Sequence, residues 1–255
     1  SRMFAGAKQY NGNNSMWDVS SVTDMSRMFH GAELFGGMND HDISKWDVSR
    51  VKDMHYMFMR AVSFNNELSN WDVSSVTDMR YMFSEAKWFE RHISKWDVSN
   101  VNNMCTMFRA TAFAGDISEW NVSSVKDMAH MFRNAKLFDS DVSKWDVSHV
   151  DDMYGMFQSA IAFRRNISSW DVSSVKDMTR MFAYARSFNV DVSKWDVSSV
   201  DSMDYMFLEA RLFKHKLCGS AWVRSEASKT LMFLGSSGSI SEIECDSVSE
   251  LPREY

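Results

Sequence analysis

Basic charge, long apolar runs and catalytic signatures are all scarce in this 255-residue chain, and each scarcity removes a class of protein. Lysine and arginine total 28 against 34 aspartates and glutamates, a formal net charge of −6 that argues against a nucleic-acid binder. No stretch approaches the roughly 18 consecutive apolar residues of a membrane span, and no secretory signal peptide opens the chain. There is no zinc-ligand spacing, phosphate-cradling glycine loop, paired catalytic carboxylate or Ser-His-Asp arrangement, and the seven histidines are scattered. No catalytic residue, metal site or cofactor is therefore assigned, and the chain reads as a non-enzyme. The single proline stands near the end, at Pro252. Cysteine is limited to Cys105, Cys218 and Cys245. The last two lie outside the regular pattern described next. A bond between them would close a short C-terminal cap and suit an oxidising compartment.

What the chain has in abundance is itself. Tryptophan recurs at 17, 46, 71, 96, 120, 145, 170 and 195, at intervals of 24 to 29 residues. The unit reads W-[DN]-V-S-x-V-x-x-M-x-x-M-F-x-x-A-x-x-F-x-x-x-[ILV]-S-x, as in residues 71–95. A fixed period in this range signals a solenoid, propeller or array. Ser1-Arg2-Met3-Phe4 matches Ser26-Arg27-Met28-Phe29, so the first unit is met part-way through, and a targeting segment or anchor is expected upstream if anywhere. Four extra residues fall around Gly36–Asp40, one is missing near Thr111, and the pattern decays after Phe213. The expected division is a solenoid over 1–217 and a degenerate cap with a flexible tail over 218–255.

Within one unit, Val76, Met79, Met82, Phe83 and Ala86 follow the i, i+3, i+6, i+7, i+10 spacing of a helix stripe. Ser74 stands where it would cap that helix and Asp78 where a carboxylate favours its start. Ile93, between His92 and Ser94, reads as a very short strand with its side chain inward. The expected fold is therefore α/β: a right-handed solenoid of about nine coils, each a short strand plus a short helix. Helices need about 8–10 Å and strands about 4.8 Å, so the strand face should be concave.

Two columns are candidates for function. Asp18, Asp47, Asp72, Asp97, Asn121, Asp146, Asp171 and Asp196 follow each tryptophan. A carboxylate ladder can bind calcium, but Asn121 serves equally, and D-V-S is a turn in which Asp bonds its own backbone. The structural turn ladder is the favoured reading and Ca2+ the lesser one. Asp42, Glu67, His92, Asp116, Asp141, Asn166 and Asp191 precede the buried aliphatic residue and should face outward on the concave side, the best candidate partner surface. The 21 methionines occupy mainly two core columns, where thioethers fill gaps between aromatic rings. Asn13, Asn121 and Asn166 open glycosylation sequons.

The residues Trp71–Phe83 and Trp170–Phe182, reading W-D-V-S-S-V-x-D-M-x-x-M-F, resemble the BspA-type leucine-rich-repeat-like family of surface proteins. The resemblance covers roughly residues 1–217. It implies a leucine-rich-repeat-like scaffold that binds protein partners or mediates adhesion at the cell surface or outside the cell, with no catalytic residues. The alternatives are a peripheral structural subunit of a larger, membrane-associated or organellar assembly, and, behind both, a solenoid enzyme.

Overall fold

A computed structural model describes residues 2–37 and 42–245. Part of the insertion at Gly36–Asp40 and the tail beyond Cys245, Pro252 included, lie outside the described residues. The described chain winds as a stack of repeated coils, one per sequence unit.

The coils contain no helix where the methionine stripe predicts one. Among the described residues the only α-helix is α1, Ser220–Val223, and the only paired strands are β1, Lys216–Leu217, and β2, Ser239–Ile240, which run parallel. The stripe is instead a run of turns. Met82 N–H donates to the Met79 carbonyl, Ala86 to Phe83 and Phe89 to Ala86, each spanning three residues. The N–H groups between them leave the coil: Met79, Tyr81, Phe83 and Glu85 donate to the carbonyls of Asn103, Cys105, Met107 and Arg109 in the next coil at 2.7–3.0 Å. Successive three-residue turns bring residues i, i+3 and i+7 to one side just as a helix does. The spacing is therefore shared, and the hydrogen bonds differ. A helix of about ten residues gains little alone in water, whereas this arrangement gives half of its N–H groups to the neighbouring coil.

The turns need a backbone that a right-handed helix forbids. Two residues per coil take positive φ, as Tyr56 (60°) and Arg60 (59°), Tyr81 (60°) and Glu85 (61°), and His130 (57°) and Asn134 (59°). Glycine holds the same columns at Gly31, Gly155 and Gly235. Positive φ at the third residue of a turn is the type II arrangement, which favours glycine or asparagine. Most coils here place a bulkier residue there, and the inter-coil hydrogen bonds hold it.

The strand is displaced too. The parallel bridges join Asp24, Asp53, Asp78, Asn103, Asp127, Asp152, Asp177, Ser202 and Ser228 in sequence, one residue per coil. This is the column expected at the helix start. The Ile93 column instead lies in a turn, closed by Trp96 N–H to the Ile93 carbonyl at 3.1 Å. Ser74 caps no helix; its hydroxyl donates to Asp72 Oδ1 at 2.6 Å.

The core lies between these two edges. Valine, methionine, phenylalanine, alanine and aliphatic columns are fully buried, from Val76 through Ile93 in one coil and at the matching positions of the others. Two phenylalanines per coil stack face to face, as Phe83 on Phe89 at 3.9 Å, and equivalent rings repeat along the stack, as Phe58 to Phe83 at 5.7 Å. From Trp46 onward each repeat tryptophan reaches back one coil: Trp71 Nε1 donates to the Ile43 carbonyl at 3.0 Å, Trp96 to Leu68 at 2.9 Å and Trp145 to Ile117 at 3.1 Å. That bond satisfies the indole N–H in a buried site.

Along the tryptophan edge the rings of Trp17–Trp46, Trp46–Trp71 and Trp96–Trp120 repeat at 6.5, 6.3 and 6.4 Å. The side carrying the bridges and the turn ladder is called the inner side, and the side carrying the Ile93 column the outer one.

Irregular units keep these bonds by local substitution. Where one residue is missing, the Thr111 hydroxyl takes over the turn: it donates to the Phe108 carbonyl at 2.9 Å and accepts Phe113 N–H at 3.3 Å. The Phe108–Phe113 pair opens to 4.4 Å. Where two residues are added before Trp222, the single turn of α1 takes them up, and Trp222 Nε1 still donates to the Val192 carbonyl at 2.9 Å. The ladder continues past Leu217, with Met203 bonded to Ser228, Phe207 to Met232 and Glu209 to Leu234. Cys218 and Cys245 form a disulfide, with α-carbons 5.0 Å apart, that ties the end of the described chain beside β1.

Candidate interaction face

Three columns, mostly aspartate, build turns of one kind in most coils. Asp47 Oδ1 accepts the N–H of Ser49 at 3.1 Å and its hydroxyl at 2.6 Å. Asp18, Asp72, Asn121, Asp146 and Asp171 do the same for the serine two residues on, while Asp97 and Asp196 take its N–H. The second column repeats the device: Asp42 accepts Ser44 N–H, Asp116 Ser118, Asp141 Ser143, Asn166 Ser168 and Asp191 Ser193, and Glu67 takes Ser69 with its longer arm. Bonds from Ser44 and Ser143 hold the carboxyls of Asp42 and Asp141 below the usual carboxylate range. The third is the bridge column, where Asp53, Asp78, Asp127 and Asp152 accept the N–H of His55, Arg80, Ala129 and Tyr154.

The structure therefore gathers Asp42, Glu67, His92, Asp116, Asp141, Asn166 and Asp191 into one mostly exposed row, beside the tryptophan edge. Asp42, Glu67, Asp116, Asp141 and Asp191 each commit one carboxylate oxygen to a backbone turn.

The inner face differs in chemistry. Between the buried methionines, the turn ladder carries Arg27, Tyr56, Tyr81, His130, Arg180 and Tyr205, all half-buried, while Thr106 and Gly155 of the same column are buried. The Arg27 guanidinium lies 4.9 Å from the centre of the Tyr56 ring, which stacks on Tyr81 at 4.4 Å. Arg180 lies 5.1 Å from the Tyr205 ring, and His130 meets Tyr154 edge-on at 4.6 Å. Glu85 pairs with Arg60 at 3.1 Å and Arg109 at 2.6 Å, bridging three coils. Burial raises the carboxyls of Asp78, Asp127 and Asp152 along the bridge column. It also pushes the Cys105 thiol up to about 11, which keeps it protonated and unreactive.

Asp53, His55 and Asp78 bring three ligand-type atoms within 4.8 Å of one another. They satisfy each other first: His55 Nδ1 is 2.6 Å from Asp53 Oδ1, and Arg80 pairs with Asp78 at 3.1 Å.

Sequence reasoning missed this face because its columns were read as helix surface. A signal was available. The columns of Tyr81 and Glu85, four residues apart, hold glycine or asparagine at Gly6, Gly31, Asn134, Gly155 and Gly235. Such residues weaken a helix interior but suit positive φ.

The ladder, the repeated core and the constant inter-coil bonding define a repeat solenoid. Within that class the chain belongs to the family described as Mycoplasma protein of unknown function, DUF285, which matches residues 1–87, 32–145 and 138–244. No curated protein matches the chain. Among solved structures it is similar to the crystal structure of a TLR13–ssRNA13 complex, at 12% identity and a TM-score of 0.31. That likeness covers 87% of this chain and 34% of the other, so the chain spans about a third of the structure it matches. Among the described residues no helix is long and apolar enough to cross a membrane.

Proposed function

We propose that this chain is a non-enzymatic scaffold that binds a protein partner through its inner, turn-ladder face. The observation that carries the reading is the concentration of tyrosine and arginine on that face. These residue types dominate the energetics of protein interfaces, and here they stand on backbone that each coil hydrogen-bonds to the next. Rigid presentation lowers the ordering cost of binding. The resemblance to BspA-type repeats supports a role in adhesion at the cell surface or outside the cell, and a right-handed winding belongs to the same reading. Service as a peripheral subunit of a larger assembly would use the same face.

The test compares two variants in partner capture and association rate. Tyr56→Ser with Tyr81→Ser removes the stacked pair; Asp116→Asn with Asp141→Asn and Asp191→Asn neutralises the outer acidic row. Loss of partner with the tyrosine variant, and retention with the asparagine variant, supports the inner face. The opposite result returns the site to the outer row, where charge would act mainly on the association rate.

A further inference from the structure

The corner where each coil leaves the turn ladder carries large apolar side chains in the open. After Ala86 the chain turns through Lys87 and Trp88 before Phe89 enters the core, and Phe89 N–H closes the turn on the Ala86 carbonyl at 3.1 Å. Phe35, Phe64, Phe138, Phe163, Phe188 and Phe213 close the same turn in their own coils. The corners are also bonded to one another. Trp88 N–H donates to the Val62 carbonyl at 3.3 Å, Ala112 to Lys87 at 3.1 Å and Ala162 to Lys136 at 3.2 Å. Behind them the rings of Phe138, Phe163, Phe188 and Phe213 repeat at 6.0, 6.2 and 6.1 Å. The corners therefore form a regular ridge along the stack, backed by the core.

The crest of the ridge is apolar. Leu34, Trp88, Leu137 and Leu212 share one column and are 44, 56, 61 and 58% exposed. Small residues separate them: Ala112 between Trp88 and Leu137, then Ala162 and Ser187 before Leu212. An isolated exposed apolar residue needs no explanation. Four aligned in one column of a rigid repeat make a continuous surface feature.

The charge beside the crest is positive. Lys87, Lys136, Arg186 and Arg211 each precede a crest residue, and all are exposed. Arg211 pairs with Glu209 at 3.1 Å. Among the described residues no carboxylate pairs with Lys87, Lys136 or Arg186. Across the core phenylalanine, Asp139 is already held by Arg164 and Arg165 at 3.3 and 2.9 Å. In a chain of net charge −6, unanswered cations along an apolar crest are a local exception.

We infer that this ridge docks the chain on an anionic lipid surface, with Trp88, Leu137 and Leu212 entering the headgroup region and Lys87, Lys136 and Arg186 meeting lipid phosphates. Tryptophan is favoured at the membrane–water boundary. Lysine and arginine stems lie along apolar surface while their charged ends reach outward, and basic residues at such a surface are drawn to anionic lipid. The crest projects, so it suits a surface that yields around it. A sulfated polysaccharide would answer the cations but leave the leucines in water. The acidic row bears on orientation as well. Asp141 and Asp191 stand three residues past Phe138 and Phe188 and would be repelled by the same lipids, which favours contact through the ridge.

The experiment uses the full chain and vesicles of defined composition: phosphatidylglycerol and phosphatidylcholine in equal parts, or phosphatidylcholine alone. The chain should sediment with the anionic vesicles, far less with the neutral ones, and less as salt rises. Trp88 is the most exposed tryptophan, so lipids brominated on their acyl chains should quench part of the fluorescence, and Trp88→Phe should abolish that part. Lys87→Gln with Lys136→Gln should weaken binding about tenfold or more. Trp88→Ser with Leu137→Ser should weaken it comparably, with melting curves confirming that both double variants fold.

Equal binding to the two kinds of vesicle, or binding unchanged in both double variants, would overturn the inference. So would an absence of vesicle binding, whether or not the chain is retained on immobilised heparin. These failures are separable from failure of the scaffold reading. Tyr56→Ser with Tyr81→Ser lies off the ridge and should leave vesicle binding unchanged, while partner capture is scored without lipid.

Discussion

Replacing Phe132 with alanine tests the stack at its centre. Phe132 is fully buried. Its ring stacks on Phe138 at 3.7 Å within the coil, on Phe108 at 5.8 Å in the coil before and on Phe157 at 5.6 Å in the coil after, and meets Trp145 at 6.3 Å. Truncating a buried phenylalanine costs about 3–5 kcal/mol through lost transfer free energy and the cavity left behind. The upper half of that range is expected here, because aromatic pairs add about 0.5–1.5 kcal/mol beyond the area they bury and the backbone around the hole is pinned to two neighbouring coils. Phe4, in the same column of the first coil, is only partly buried and has the described stack on one side. Phe4→Ala should therefore cost about half as much, since stability in a solenoid is a sum of coil and nearest-neighbour terms. Urea unfolding of both variants, fitted to such a nearest-neighbour scheme, gives the two losses. A loss below about 1 kcal/mol for Phe132→Ala, or equal losses at the two sites, would refute a continuous aromatic core.

Two further outcomes follow from the backbone and from the inner face. Ser159 has φ of 59° and keeps its N–H bonded to the Ala183 carbonyl. Left-handed backbone costs a non-glycine residue roughly 1–2 kcal/mol, and glycine gives back about 0.4–1 kcal/mol through the freer unfolded chain. Ser159→Gly should thus raise the urea midpoint by the equivalent of about 0.5–1 kcal/mol, and a fall would contradict the turn geometry. Burial, with Arg133, Arg109 and Arg180 nearby, lowers His130 from its ordinary 6.5 to about 4. The unfolded chain then takes up the proton first, so this stability is complete above about pH 6.5, declines as pH falls toward 4 and is gone below that. Discounted for solvent screening of a half-buried ring, it amounts to about 1–2 kcal/mol. NMR titration of the imidazole checks the value, and His130→Gln should remove that part of the pH dependence; a ring that titrates near 6.5 would show it to be solvated.

Legibility of the chain divides by column. Every residue of the stripe Val76, Met79, Met82, Phe83 and Ala86 is in the core, as are Phe89, Ile93 and the repeat tryptophans from Trp46 to Trp195, so inside and outside were readable from the repeat alone. The local conformation was not, because a run of three-residue turns and a helix share the i, i+3, i+7 spacing, and only the destination of the N–H groups separates them. That destination lies in the next coil, about 25 residues away, where no local pattern records it. The aspartates were readable for the opposite reason. Each accepts an N–H two residues on, so D-V-S carries its own geometry, and the same reasoning extends to D-I-S and D-M-x.

The difference between fixed and variable columns also bears on where recognition lies. Tryptophan, valine, methionine, phenylalanine and the turn aspartates are nearly the same in every coil, so they cannot distinguish one part of the stack from another. A partner that binds in one register must read the columns that change. On the inner face these run Arg27, Tyr56, Tyr81, Thr106, His130, Gly155, Arg180 and Tyr205, and, three residues on, His30, Met59, Ser84, Arg109, Arg133, Gln158, Ala183 and Leu208. The outer row from Asp42 to Asp191, by contrast, is a carboxylate or its amide at six of its seven positions, His92 being the exception. It offers a field of one sign but few landmarks. A repeated acidic row can speed encounter with a basic surface, while register is set where arginine, tyrosine and glycine alternate. Gly155, with His130 before it in the column and Arg180 after, is the sharpest change of residue type along the ladder.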